Sequence, residues 1–198
     1  FKGNNSFSDF RLRWQMKETK QQPFYMFWRS TFDNSNFKED LELLSTFYRN
    51  KGYRDFEVLK DTIQFYDDSK KMDIILFISE GEKYKYRNFS WEGMSLFNEE
   101  DLQTTLALEK GEQFSDEDFN LALYSRVQGL YLDRGYIYSR IEPQITPIGT
   151  DSLDVHFVIT ENHKVYINNI IVQGNTRTRE NVIRRQLRIF PGDVYNQE

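Results

Sequence analysis

The sequence predicts an α+β fold made of tandem β-α-α-β-β modules, each a three-stranded mixed sheet covered on one face by two helices. Three observations predict it: internal repeats, helical and alternating apolar patterns in a fixed order, and many aromatic residues. The chain has 198 residues, with 17 Phe, 12 Tyr and 3 Trp. Because each aromatic side chain buries a large area, a few per module are enough for a small core.

The internal repeats are the strongest signal. The segment EGEKYKYRNFSWEG at 80–93 aligns with ENHKVYINNIIVQG at 161–174, and Gly93 and Gly174 set the offset at 81 (174 minus 93). The alignment continues without a gap to the last residue. The chain therefore contains two copies of the start of one structural unit.

A second alignment extends the repeats toward the N-terminus. FYRNKGYRDFEV at 47–58 aligns with LYLDRGYIYSRI at 130–141, with an offset of 83 (135 minus 52). The first residues, FKGN, resemble VQGN at 172–175. We therefore predict three units and expect the chain to be an excised fragment. They are a module without its first strand at 1–80, a complete module at 81–161, and the N-terminal part of a third at 162–198.

The first half of the complete module is predicted to be a strand and a helix. The strand has aromatic residues separated by polar ones: Tyr84, Tyr86, Phe89 and Trp91. Asn98 is a typical N-cap, and Leu102 and Leu106 form an apolar face on the helix that follows. Gly111 is predicted to end this helix.

The second half is predicted to be a longer helix and a hairpin. The helix begins at Ser115, ends before Gly135 and carries an apolar stripe at helical spacing: Phe119, Leu123, Val127 and Leu130. Strands at 137–146 and 153–159, joined around Gly149, form the hairpin. The first module repeats this order, with helices at 7–16 and 37–50 and strands at 54–65 and 72–79.

Composition argues against several function classes. A net charge of −5 gives no support to nucleic-acid binding, and the lack of cysteine excludes disulfides and thiolate metal sites. His156 and His163 have no partners at metal-ligand spacing, so both are interpreted as structural. No nucleotide-binding or nucleophile motif is present. We therefore expect no enzyme activity, no cofactor and no metal.

Two local motifs resemble the polypeptide-transport-associated (POTRA) family. They are the Gly-Asn turns at 3–4 and 174–175, and the Tyr-x3-Gly-Tyr ending of the second helix at 48–53 and 131–136. The β-α-α-β-β order agrees with them over the whole chain. The middle copy departs from the pattern with Gly-Met at 93–94, which weakens the turn signature there.

The tightly joined tandem modules resemble the periplasmic arm of BamA-like outer-membrane protein insertases. The segment MKETKQQPFYMFWRSTF at 16–32 looks most like versions from Bacteroidota. By that resemblance, the three units correspond to the third module, the fourth module and the start of the fifth module of such an arm. The resemblance implies a scaffold that binds assembly-machinery lipoproteins and guides unfolded outer-membrane proteins. It also implies a periplasmic location, with attachment to the outer membrane through a C-terminal membrane barrel absent from this chain.

An exposed sheet edge is the expected client site, because its free backbone groups pair with extended chains of many sequences by β-augmentation. In the second module the return strand carries Pro143 and Pro147, which remove donors. The equivalent strand at 55–65 has no proline, so the first module is predicted to have the more available edge. The alternative is an edge left unused or covered by a neighbour. The predicted peptide-binding residues are Asp55, Phe56, Glu57, Val58, Leu59, Lys60, Thr62 and Ile63.

Two further contact surfaces are predicted. An insertion in the first module forms an apolar contact patch, unless its aromatic residues pack on their own helices: Phe24, Tyr25, Phe27 and Trp28. The third module carries a basic patch for anionic headgroups or an acidic partner, with a solvated helix face as the alternative: Arg177, Arg179, Arg184, Arg185 and Arg188.

Two other functions stay open at this point. One is the POTRA arm of a related secretion or translocation pore, which would serve different clients. The other is a structural spacer that binds one folded partner and no unfolded client.

Overall fold

The computed structural model describes residues 1–17, 19, 32–66 and 71–196. Its strands form one two-stranded and one three-stranded sheet. The α+β class and the element order of the complete module are confirmed. Within the described ranges, no helix is both long enough and apolar enough to cross a bilayer.

The first module contains two helices, α1 (Asp9–Gln15) and α2 (Asn34–Arg49). Ser8 and Asp33 are their N-caps, and each side chain accepts a hydrogen bond from a backbone amide of the first turn. One face of each helix packs into a common core with the strands that follow. The buried members of this core are Leu12, Met16, Phe37, Leu44, Tyr48, Phe56, Leu76 and Ile78.

The strands β1 (Glu57–Tyr66) and β2 (Lys71–Ser79) form an antiparallel hairpin. On the other side of β2, the Lys2 amide donates to the Leu76 carbonyl at 2.8 Å, and the Ile78 amide donates to the Lys2 carbonyl at 2.9 Å. Lys2 therefore occupies the place of a first strand, parallel to β2. In the part of the chain that the structure describes, β1 is the outermost strand.

The second module is complete. Its elements are β3 (Lys85–Glu92), α3 (Glu99–Leu106), α4 (Asp116–Asn120), a π-helical segment (Leu121–Val127), α5 (Gln128–Asp133), β4 (Arg140–Ile148) and β5 (Ser152–Thr160). The sheet order is β3-β5-β4, so β5 is central and the proline-containing β4 is at an edge. Alternate residues of β5 are buried, as its sequence pattern predicts: Leu153, Val155, Phe157 and Ile159.

Gly111 does not end the first helix of the second module, so that prediction is wrong. The helix α3 stops at Leu106, and Ala107 follows in the left-handed conformation with φ of 50°. Gly111 has φ of 86° and lies in the next turn, where its amide donates to the Tyr86 carbonyl at 2.6 Å. This glycine turns the chain back alongside β3.

The return strands also begin three residues later than predicted, at Glu57 and Arg140. After each Gly-Tyr pair a turn intervenes, and it is closed by a hydrogen bond between backbone groups three residues apart. The Phe56 amide donates to the Tyr53 carbonyl at 3.2 Å in the first module. The equivalent bond in the second module has a length of 3.0 Å.

The third unit contains α6 (Glu180–Arg184) and repeats the backbone pairing of the second. Four hydrogen bonds of 2.6–3.0 Å in the second module recur at 2.7–3.1 Å in the third. In the second they join Tyr84 to Gly52 and Phe114, and Tyr86 to Gly111 and Glu112. In the third they join Val165 to Gly135 and Tyr195, and Ile167 to Gly192 and Asp193.

Candidate interaction surfaces

A buried tyrosine and a carboxylate connect the second helix of the first module to the end of its sheet. The Tyr48 hydroxyl is fully buried and donates to Glu80 Oε1 at 2.9 Å. The Ser6 hydroxyl and amide also donate to Glu80, at 2.8 and 3.1 Å. One carboxylate therefore joins three separate parts of the module: the turn before α1, the end of α2 and the end of β2.

The second module repeats this arrangement with Tyr131, Glu161 and Ser95. The Tyr131 hydroxyl donates to Glu161 at 3.3 Å, and the Ser95 amide donates at 2.8 Å. Burial raises the pKa of Glu161, but hydrogen bonds from Ser95, Leu96 and Tyr131 outweigh it, so the net shift is downward. Burial and the nearby Glu161 carboxylate raise the pKa of Tyr131.

Sequence reasoning missed the role of this network. The repeated Tyr48/Tyr131 and Glu80/Glu161 pairs are visible in the alignments, but nothing in the sequence shows that each tyrosine meets its glutamate. The available signal was the recurrence of a glutamate directly after the last strand of each module, 32 and 30 positions after the tyrosine that precedes Gly-Tyr.

The glycine after each second helix forms the joint with the next module. The Gly52 carbonyl accepts the Tyr84 amide at 3.0 Å, and the Gly135 carbonyl accepts the Val165 amide at 2.8 Å. Both glycines have positive φ, 95° and 85°. A Cβ atom on Gly135 would lie 2.4 Å from Val194 Cγ1, so no side chain fits without movement.

Side chains reinforce the first joint. Asn50 and Glu117 exchange two hydrogen bonds of 3.0 Å, and the Tyr84 hydroxyl donates to Asp55 Oδ2 at 2.6 Å. The bond to Asp55 raises the pKa of Tyr84. At the second joint the residue equivalent to Tyr84 is Val165, which has no hydroxyl group, so the tyrosine–carboxylate bond cannot form there.

The predicted peptide-binding segment is only partly a strand, which corrects the prediction at its first two residues. Asp55 lies in the turn before β1, where its carboxylate is bound by Tyr84. Phe56 is buried and stacks on Tyr48 with ring centroids 4.1 Å apart. These two residues have structural contacts that compete with an added chain. The remaining predicted residues lie in β1: Glu57, Val58, Leu59, Lys60, Thr62 and Ile63.

A register shift between Val58 and Lys60 divides β1. Such bulges interrupt regular pairing, so the regular edge is the stretch 60–66. Two large apolar side chains of β1 are well exposed, Leu59 at 62% and Phe65 at 61%. The outer strand of the first module therefore offers apolar side chains as well as a free backbone edge along the described residues.

The other two predicted surfaces have different outcomes. The apolar contact patch of Phe24, Tyr25, Phe27 and Trp28 lies outside the described residues. In the basic patch, Arg184 is half-buried, with an ion pair to Glu180 at 2.6 Å and a hydrogen bond to the Ile170 carbonyl at 2.7 Å. It is the only arginine of the patch inside α6. The other members are exposed: Arg177, Arg179, Arg185 and Arg188.

The two histidines make contacts that are ordinary for residues near the surface. His156 lies on the outer face of β5, with Nδ1 2.8 Å from Ser90 Oγ and Nε2 3.2 Å from Glu92 Oε2. The His163 ring lies 5.6 Å from the Tyr138 ring. Among the residues that the structure describes, no three potential metal ligands lie close enough together to hold an ion.

Repeated β-α-α-β-β modules, joined through a glycine at the end of the second helix, define a tandem-repeat protein. The sequence matches the POTRA family, described as surface antigen variable number repeat, over residues 1–81, 84–162 and 165–198. The chain belongs to the POTRA family. The predicted family is thereby confirmed.

Curated relatives carry names from outer-membrane assembly. The chain is 32% identical to the outer membrane protein assembly factor BamA of Neisseria meningitidis serogroup B, over 99% of this chain and 25% of that protein. It is 28% identical to BamA of Buchnera aphidicola, over 89% of this chain and 29% of that protein. The chain thus spans about a quarter of the length of these relatives.

Solved structures support the fold. The POTRA3-5 crystal structure of Haemophilus influenzae BamA matches with a TM-score of 0.73 and 24% identity, over 99% of this chain and 77% of that one. Haemophilus ducreyi BamA lacking POTRA domains 1-3 matches with a TM-score of 0.54 and 16% identity, over 69% of this chain and 25% of that one. At these identities the likeness concerns the fold alone.

Proposed function

We propose that the chain is part of the periplasmic arm of an outer-membrane β-barrel assembly protein, attached to the membrane through a C-terminal barrel. The arm is non-enzymatic, and it holds accessory lipoproteins and unfolded outer-membrane proteins near that barrel. Its modules are those at 1–80, 81–161 and 162–198. The names of the relatives and the tandem POTRA modules support this proposal.

Strand addition to β1 is the proposed way of holding clients. The observation that carries it is the outer position of a long, proline-free strand, with a regular stretch at 60–66. Backbone pairing makes little demand on client sequence, which suits many different unfolded strands. The equivalent edge strand β4 carries Pro143 and Pro147 and has fewer donors to offer.

An NMR titration with several unrelated peptides from outer-membrane barrel strands tests the proposal. We expect weak shifts of similar size for all peptides, concentrated on the amides of 60–66. Shifts confined to one peptide, or spread over other surfaces, would contradict strand addition at β1. An absence of shifts at millimolar peptide would favour the rigid spacer that binds one folded partner.

Proline variants make the test specific for the edge. Neighbouring residues of an antiparallel strand direct their amides to opposite sides. Of the single variants Asp61→Pro and Thr62→Pro, one therefore removes a donor from the free edge and the other breaks the hairpin with β2. We expect the variant that keeps the native spectrum to lose peptide binding. Full binding by that folded variant would rule out the β1 edge.

A further inference from the structure

Two large aromatic side chains project from α1 into solvent. Phe10 is 72% exposed and Trp14 is 70% exposed, and their ring centroids are 6.2 Å apart in an edge-to-face arrangement. They are four residues apart and share one face of the helix. Leu12, on the opposite side, is fully buried. We call Phe10 and Trp14 the aromatic stripe.

The repeats show that the fold does not need aromatic residues at these positions. The first helix of the second module, α3, aligns with α1 at an offset of 90 (102 minus 12), which pairs Leu12 with the fully buried Leu102. At the same offset Phe10 corresponds to Glu100 and Trp14 to Thr104, and both of these are exposed. The aromatic stripe is therefore an addition specific to the first module.

Arginines lie on both sides of the aromatic stripe. Successive residues of an α-helix are about 100° apart, which places Arg13 on one flank of the stripe and Arg11 on the other. Both arginines are exposed. The Arg13 guanidinium is 3.8 Å from Asp9, and the Arg11 guanidinium lies over the Phe7 ring at 5.0 Å. In α3 the equivalents of Arg11 and Arg13 are Asp101 and Gln103. The two helices therefore differ in charge as well as in apolar content.

We propose that the aromatic stripe is an interfacial anchor that binds an anionic phospholipid surface. With α1 parallel to the surface and Leu12 facing the protein core, both rings reach the headgroup region, where indole is favoured. The flanking guanidiniums then lie at headgroup level on both sides. A lipid surface needs no preformed groove, and the cationic flanks select anionic over zwitterionic headgroups.

Vesicle flotation of the 198-residue chain tests this anchor. Phosphatidylethanolamine vesicles with phosphatidylglycerol are compared with phosphatidylcholine vesicles. The test variant, Phe10→Glu combined with Trp14→Thr, installs the residues that α3 carries at the same positions, so the fold is expected to survive. We expect the native chain to float with the anionic vesicles. The test variant is expected to lose on the order of tenfold in partition coefficient.

Two controls separate the aromatic stripe from other surfaces. Tyr124→Thr removes a tyrosine that is 58% exposed in the second module, and it is expected to leave flotation unchanged. Arg185→Thr with Arg188→Ala removes two cations of the third module and is expected to retain most of the binding. Flotation of the test variant at native level would overturn the proposal, and so would loss of flotation in the arginine variant alone.

A native chain that does not float with anionic vesicles would also overturn the proposal. The aromatic stripe would then be a candidate contact for a protein groove. Raised salt provides a further measurement, because screening weakens the attraction between arginine and headgroup. Binding to anionic vesicles should therefore fall as salt is increased, while any binding to phosphatidylcholine should not.

Discussion

Replacing Tyr48 with phenylalanine isolates one hydrogen bond of the network at Glu80. The ring stays in place and keeps its stacking on Phe56 at 4.1 Å, while the bond of 2.9 Å to the carboxylate is lost. A hydrogen bond to a charged group contributes about 1.5–3 kcal/mol, so we expect the first module to lose this amount of unfolding free energy. The equivalent Tyr131→Phe removes a longer bond of 3.3 Å and is expected to cost about 0.5–1.5 kcal/mol.

Urea unfolding followed by NMR measures the two modules separately, with amide signals from α2 and β2 for the first and from β5 for the second. Tyr124→Phe, at an exposed position, is the matched control and should stay within about 0.5 kcal/mol of the native chain. A loss below about 0.5 kcal/mol for Tyr48→Phe would refute the role of the hydroxyl. So would an unchanged loss in the Glu80→Ala background, which has no acceptor for the Tyr48 hydroxyl, because coupled partners should not be additive.

Three further predictions concern the joints, the acid stability and the helix caps. Gly135→Ala places a methyl group 2.4 Å from Val194 at φ of 85°, and thermal unfolding should show a loss of about 1–3 kcal/mol in the second module. The pKa of Glu161 lies below its ordinary value of 4.5, so its contribution to stability is full above that value. The contribution is lost as pH falls through the lower pKa of the folded state, and urea midpoints measured from pH 6 down to about 3 should show the decline. Asn98→Ala removes the cap bond of 2.7 Å to the Asp101 amide and should cost about 1 kcal/mol, measured by amide exchange in α3.

Local signals predicted most of the fold. The N-cap Asn98 places the start of α3 correctly, because a cap acts through the backbone amides next to it. The alternation in β5 identifies its buried face, since side chains of a strand point to opposite sides. The end of α3 could not be predicted in this way. Ala107 adopts the left-handed conformation that sequence statistics assign to glycine.

The candidate surfaces depended more strongly on tertiary contacts. The sequence indicates that strand 55–65 has no proline, but not that Asp55 is bound by Tyr84 and that Phe56 is buried. The aromatic stripe illustrates the opposite case. The helix at 7–16 is predicted from the sequence, but only the structure shows that Leu12 is buried while Phe10 and Trp14 are solvent-exposed.

By itself, the sequence determined the repeat length, the order of elements and the family, because these follow from local patterns that recur along the chain. The tertiary structure decided which repeated residues meet. Tyr48 and Glu80 are 32 positions apart, and the joint at Gly52 forms with Tyr84 from the next module. Such contacts depend on how whole helices and strands pack together. The residues next to a side chain in the sequence therefore do not show which distant residue it will contact.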